Sequence, residues 1–292
     1  ISDAATGLGG DNRTGCAVLV TLVETLLKHN LPHPPITLLF TVREESGLQG
    51  AHNIDPADLK GAVMCFNVDA KIPAEFVTGA VGAETFEAHI HGKAAHAGVA
   101  PDKGISATLV ASIAIADVHR EGWFGKVVRP EGHGTSNIGI FGGKNNVSAG
   151  DATNVVTDYV YLKGETRSPD AAFAAANTDA YRTALLRAAA SVTDAGGEPA
   201  CIEFTGKAQY PSFNIPDDAP AVVHARRAAE ALGMTPTTVF SNGGLDANWL
   251  VQHGVPTITL GAGQHEIHTV NEYVDLAQYA DGCRLAVMLA VL

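Results

Sequence analysis

Three short apolar runs constrain this chain most: PITLLFTV at 35–42, GAVMCFNVD at 61–69 and PTITLGAG at 256–263. Each is short for a buried helix and too continuous for a strand with one face in water. They read as strands covered on both faces. Helical segments separate them. CAVLVTLVETLLKHN (16–30) follows the Gly-rich TGLGGDNRTG, AVVHARRAAEALG (221–233) precedes the third run, and VDLAQYADGCRLAVMLAVL closes the chain. The two ends therefore predict one α/β layer system with a mostly parallel central sheet.

The middle of the chain is patterned differently. ETFEAHIHGKAAHAG begins with the alternation of a half-exposed strand, and GISATLVASIAIADVHRE reads as a helix. TSNIGIFGG and TNVVTDYVYLKGETR read as strands, an Ala-rich helix covers 168–197, and ACIEFTGK makes a fourth strand. The order βαββαβ predicts a four-stranded antiparallel, ferredoxin-like α+β domain over residues 83–214. It interrupts a domain made of 1–82 and 215–292, with the Pro- and Asp-rich PSFNIPDD as the return hinge.

Composition narrows the function classes. The 292 residues carry a formal net charge of -12, which disfavours a nucleic-acid partner, and the basic residues are scattered. No apolar window approaches a membrane span. The cysteines, at 16, 65, 201 and 283, form no CxxC pair. Two long-range disulfides are open, but buried free thiols in a reducing, cytoplasmic compartment are the simpler expectation.

The residues that could carry chemistry share an address. Glu44 and Glu45 follow the first apolar run, Asp69 follows the second, and His268 lies just past the third. Loops leaving the carboxyl ends of strands line the ligand crevice of open α/β sheets. Asp11, in a Gly-rich turn ahead of a helix, has access to the same crevice. Asp, Glu and His without Cys make an oxygen-rich donor set that suits zinc, cobalt or manganese. Each residue also has a plainer role open to it. Asp11 fits a helix N-cap, Asp69 a turn, the Glu pair a solvated strand end, and His268 a loop hydrogen bond.

Taken in order, GLGGDNRTG, TVREESGLQG, NVD, HGKAAHAG, TNVV…ETR, SNGGLDAN and GAGQHEIHTVNE resemble the M20 family of co-catalytic metallopeptidases, nearest to its peptidase T-like aminopeptidases. The likeness runs over essentially the whole chain. It implies a zinc-peptidase catalytic domain interrupted by a lid, two divalent ions (zinc, with cobalt or manganese as alternatives) and hydrolysis of di- or tripeptides. By position it implies Asp11 as bridging ligand, Glu45 and His268 as ligands of one ion, Asp69 as a ligand of the other and Glu44 as general base. It further implies His96 as a stabiliser of the developing oxyanion, Asn154 and Arg167 as substrate-gripping lid residues, and a homodimer formed through the lid. Ser241, Asn242 and Asp246 either line the cleft or cap the following helix; His89, His91 and His133 read as ordinary lid residues.

One departure stands out. The family carries a His-x-Asp motif upstream of the bridging Asp, yet none of the ten residues before Asp11 is a histidine. The expectation is that an N-terminal segment has been lost, in line with a start at Ile1 rather than Met; the alternative is a crippled second site. Rival readings are an M20 amidohydrolase, a carboxypeptidase-like enzyme acting on an acylated amino acid, and a non-catalytic peptide-binding relative.

Overall fold

The computed structural model describes residues 5–143 and 147–292. The chain opens with α1 (Gly10–His29), a short α2 (Gln49–His52), β1 (Cys65–Ala70) and β2 (Glu75–Ala80). It continues with β3 (Gly82–His91), α3 (Ala107–Arg120), β4 (Gly125–Arg129), β5 (Gly132–Gly142), β6 (Tyr159–Ser168), α4 (Ala171–Ser191) and β7 (Cys201–Tyr210). It then returns through β8 (Phe213–Asn214), α5 (Pro220–Ala231), β9 (Thr237–Ser241), α6 (Asp246–Gln252), β10 (Thr257–Gly261), β11 (Gln264–His265), β12 (Tyr273–Val274) and α7 (Leu276–Val291). Two compact units result. One runs up to Ala80 and resumes over Phe213–Leu292, and the other is Val81–Ser212. The sequence placed these breaks at 83 and 214.

The first unit is built on a sheet of order β1-β10-β2-β8, with β9 also paired to β2. Its long ladders, β1 with β10 and β2 with β9, are parallel. A single antiparallel bridge, Thr259 to Val77, joins them, and β8 adds a two-residue antiparallel edge, so the sheet is largely parallel. Every residue of β10 is buried, as its unbroken apolar run requires. Helix α1 turns Thr14, Val18, Leu22 and Leu26 inward at four-residue intervals. Val18 packs with Val68, Phe76, Ile258, Leu260 and Leu285 in the main core.

One expected strand is absent. PITLLFTV forms no strand: residues 31–41 have no regular structure and no ladder partner. Ile36, Leu38, Phe40 and Val42 point to solvent, Phe40 being 52% exposed, while Leu39 packs against the Leu59, Leu250 and Val255 cluster. The apolar run is present, but a strand exists only through a hydrogen-bonded neighbour. No strand among the described residues lies beside this segment. With β1, α1 and the end of α7 it lines a cavity of about 1320 Å³ that reaches Asp11, Glu44 and Asp69.

The second unit is an antiparallel sheet of order β4-β5-β6-β3-β7. It has five strands rather than the four expected, because GKVVR joins as β4 through a tight hairpin with β5, Arg129 opposite Gly132. Strand β6 alternates buried and half-buried residues along its length, the pattern of a sheet covered on one face. Phe86, Ile90, Val160 and Leu162 form that covered face with Val110, Ala114, Tyr181 and Leu185 of α3 and α4. Ser106 caps α3 by accepting the Leu109 N–H, and Asp170 caps α4 by accepting those of Ala172 and Phe173. All four cysteines are free, yet Cys16 and Cys201 are exposed and none is fully buried.

Candidate metal centre

Three loops of the first unit converge. Asp11 enters from a Gly-rich turn in which Gly9 takes a left-handed conformation (φ +71°) that a side chain would strain. Asp11 is not the N-cap of α1: Gly9 holds that place, and past the kink it is the Asn12 side chain that accepts a helix N–H, that of Gly15. Its own backbone is non-helical, and the Asp11–Asn12 peptide is cis. Asn12 anchors the turn: its Nδ2 donates to the Val68 carbonyl at 2.8 Å, and its Oδ1 accepts the Gly15 N–H at 2.9 Å and Gln264 Nε2 at 2.8 Å. That ties the turn to the end of β1, where Asp69 sits.

Glu44 and Glu45 open a single 3₁₀ turn, Glu44–Ser46, closed by Gly47 and Leu48 N–H groups donating to the Glu44 carbonyl. Neighbours in such a turn point about 120° apart, so the two carboxylates separate. Glu44 turns inward, where the charges of Asp246, Glu45 and Asp11 act on it. Glu45 turns toward His268. Arg43, Leu48, Glu266 and His268 all take left-handed backbone angles although none is glycine. Non-glycine residues held in that region concentrate at functional sites.

Asp11, Glu45 and His268 each offer one donor atom, all within 4.8 Å of one another. His268 Nε2 lies 3.1 Å from Asp11 Oδ2 and 3.1 Å from Glu45 Oε2. Donors about 2.0–2.2 Å from one zinc ion stand about 3.3 Å apart in tetrahedral geometry, so one divalent ion fits. The Asp11 side chain is only 10% exposed while that of His268 is 63% exposed, which leaves the histidine side open to solvent. Two carboxylates and one imidazole, with an open side, are the donor chemistry of a catalytic rather than a structural zinc site.

Asp69 lies outside this triad but hydrogen-bonds Asp11, and burial first, then the Asp11 and Glu44 charges, push its carboxyl up to about 8. Burial followed by the Asp246, Glu45 and Asp11 charges pushes Glu44 up to about 7. Burial and Glu45 raise Asp11, against the lowering effect of His268. Burial raises Asp246 too, moderated by the hydrogen bond it accepts from Thr41. His268 is held above its ordinary value: burial lowers it, but Glu45 and Asp11 raise it further. Asp11, Glu44, Asp69 and Asp246 are thus all raised within one crowded cluster, a charge excess that a divalent cation would relieve.

The other expected residues lie in the second unit. His96 is exposed, and its Nδ1 accepts the N–H groups of Gly98 and Val99 at 3.1 and 3.2 Å. Two donors on Nδ1 put the neutral ring's proton on Nε2, ready to donate. Asn154 belongs to the same feature, because its carbonyl accepts the Ala97 N–H at 2.9 Å and His96 bridges Val155. Arg167 lies on β6 and is engaged bidentately by Glu165, at 3.0 and 3.1 Å. His89 bonds the Tyr159 hydroxyl and His91 pairs with Glu203. Ser241 closes a turn with Gly243. Asp246 begins α6, and no side chain caps that helix through Asp246. Sequence reasoning assigned no role to Asn12, Gln264 or Glu272. All three lie within the segments that carry the family resemblance, but nothing in their spacing marks them as organisers.

A family model described as peptidase family M20/M25/M40 matches residues 6–291. The chain is 33% identical over 289 residues to the uncharacterized protein YqjE of Bacillus subtilis, covering 99% of this chain and 72% of that one. Among solved structures it is similar to the aminopeptidase PepT of Bacillus cereus, at 35% identity and a TM-score of 0.84, with 99% of this chain and 73% of that one covered. It is also similar to a tripeptidase of Staphylococcus aureus, at 31% identity and a TM-score of 0.85, with 99% and 72% covered. Curated relatives named peptidase T are longer, and the chain spans 62% of the one from Lysinibacillus sphaericus. With nearly every residue matched and the donor triad assembled on the expected loops, this chain belongs to the M20/M25/M40 family of peptidases.

Proposed function

We propose that this chain is the body of a metal-dependent aminopeptidase that hydrolyses di- and tripeptides. The convergence of Asp11, Glu45 and His268 beside Glu44 carries the reading. The similarity to an aminopeptidase and a tripeptidase supports the substrate class. A divalent ion bound there supplies Lewis acidity and makes water a better nucleophile at neutral pH. The protein's own groups do the rest. Glu44, with a proton affinity poised near neutrality, takes the proton from water and passes it to the leaving amine. Glu45, turned away from it, acts only as a donor to the ion. His96, its Nε2 proton facing outward, donates to the carbonyl oxygen as that oxygen becomes negative. Arg167 receives a substrate carboxylate in exchange for part of its contact with Glu165, and Asn154 assists from the His96 loop.

The reading extends to a second ion, which Asp11 and Asp69 would help to hold; the hydrogen bond between these two crowded carboxyls supports it. It takes zinc as the resident metal, with cobalt or manganese as substitutes. The second unit serves as a ferredoxin-like lid, on the order β5-β6-β3-β7 with β4 added at the edge, and as the surface for a homodimer. The cytoplasm is the compartment that suits four free cysteines. Among the described residues no helix is long and apolar enough to cross a membrane.

The test is metal content per chain together with hydrolysis before and after chelation, using a tripeptide with a free amino group and its N-acetylated form. We expect bound metal and chelator-sensitive cleavage of the free tripeptide. Cleavage of the acetylated form alone would move the enzyme to amidohydrolase chemistry, and no bound metal would remove the hydrolase reading.

A further inference from the structure

Glu272 is an acid with 3% of its surface exposed, and no cationic side chain pairs with it among the described ion pairs. Its partners are backbone. Oε2 accepts the Gly9 N–H at 2.7 Å and Oε1 accepts the Asp11 N–H at 2.9 Å. Successive N–H groups of one turn aimed at an anion form a nest, and this nest is filled from within the chain. Burial raises the proton affinity of Glu272, but the N–H groups of Asp11, Gly9, Gly10 and Leu8 bring it below the ordinary value, so it holds the turn as a carboxylate.

The turn that Glu272 holds presents Asp11, and the loop that carries Glu272 presents His268, four residues earlier. That loop is short and braced. Glu272 N–H donates to the Thr269 carbonyl at 3.3 Å, Thr269 Oγ1 donates to the Glu266 carbonyl at 2.7 Å, and Asn271 N–H donates to Thr269 Oγ1 at 3.1 Å. A closed ring follows: Asp11 side chain to His268 ring, along the loop to Glu272, and back to the Asp11 backbone. We propose that Glu272 is a positioning residue that clamps the Asp11 turn to the His268 loop and thereby sets the spacing of two metal donors. The inference rests on the reading of Asp11, Glu45 and His268 as a metal site. Groups that orient ligands from behind cost roughly 10–100-fold in metal affinity when removed.

The experiment titrates metal-free chain with Co²⁺, reading affinity and the visible d–d spectrum, for wild type, Glu272→Gln, Glu272→Asp and Glu266→Gln. Glu266 is exposed on the same loop, so its variant removes the same charge without touching the clamp. We expect roughly 10–100-fold weaker Co²⁺ binding and an altered spectrum for both Glu272 variants, and wild-type behaviour for Glu266→Gln. Aspartate keeps the charge but loses the reach. Wild-type binding by Glu272→Asp, or equal weakening by Glu266→Gln, would show that charge and not the clamp matters, and would overturn the proposal. Amide hydrogen exchange of Gly9 and Asp11 in the metal-free chain gives a second readout. We expect protection in wild type and its loss in Glu272→Gln; unchanged exchange overturns the clamp even in a folded variant. Absence of Co²⁺ binding by wild type, with the exchange difference intact, would sink the metal site and leave the clamp standing.

Discussion

The two units differ in where acids gather, although both carry ordinary ion pairs, such as Arg226 with Asp217 in the first. In the second, polar side chains find partners of opposite sign: Lys163 meets Glu87 at 2.9 Å, Arg167 meets Glu165, and Lys93 meets Asp194 at 2.7 Å. In the first, Asp11, Glu44, Glu45, Asp69 and Asp246 gather around His268 alone, and several of them are pushed toward holding protons. Matched charge on a half-exposed sheet contributes little and asks for nothing more. Unmatched charge in a partly buried cluster is costly, and persists where a ligand or a reaction uses it. The acid cluster of the first unit is therefore where the proposed chemistry is placed, and exposed pairs such as Lys163 with Glu87 read as scaffold.

The sharpest way to break that contrast is Glu44→Gln. Turnover should fall by about 10²–10⁴-fold while metal per chain stays unchanged; near-normal kcat would strip Glu44 of its base role. His96→Ala comes next. It should lower kcat by about 10²–10³-fold with bound metal and thermal stability unaffected, since the side chain is exposed. A fall in metal content instead would make it a structural residue.

The third prediction uses pH on the metal-free chain. Glu44 and Asp69 are raised to about 7 and about 8 in the folded state, against about 4 when unfolded. The folded chain therefore holds more protons than the unfolded one between these values. Stability is fully present below about pH 4 and is lost as pH rises through about 8. The raised His268 acts in the same direction at the upper end. Denaturant midpoints across pH 4–8 should show that decline, and saturating Zn²⁺ should flatten its upper part by taking the protons' place. A flat metal-free profile would mean that the acids are not crowded. The smallest effect belongs to the second unit: Glu87→Gln should change unfolding free energy by about 0.2–1 kcal/mol, and a larger loss would end its description as scaffold.

Much of the site was legible before any coordinates. Asp11, Glu45 and His268 stood out as candidates in a Gly-rich turn or after apolar runs, each with a plainer role open, and their reading as donors came from the family resemblance. The fate of the neighbouring Glu44 needed the 3₁₀ turn, which alone sends adjacent carboxylates in different directions. Asp69 was visible as a residue, but its place beside Asp11 and outside the donor triad is a fact of three dimensions. Glu272 left no trace as an organiser, because an acid in a polar loop reads as a surface residue until its burial is known.

The apolar runs mark the same boundary between local and non-local information. GAVMCFNVD and PITLLFTV carry the same kind of pattern; the former contains β1, bonded to β10 over five register positions, and the latter stays without regular structure and half exposed. GKVVR, by contrast, was not among the expected strands and became β4 because a hairpin set β5 beside it. Sequence by itself determined side-chain chemistry, helix faces and the apolar pattern of each segment, all of which depend on neighbours a few residues away. Tertiary structure decided which apolar segments became strands and which acids stand together, because a ladder and an electrostatic cluster are made by residues distant in the chain.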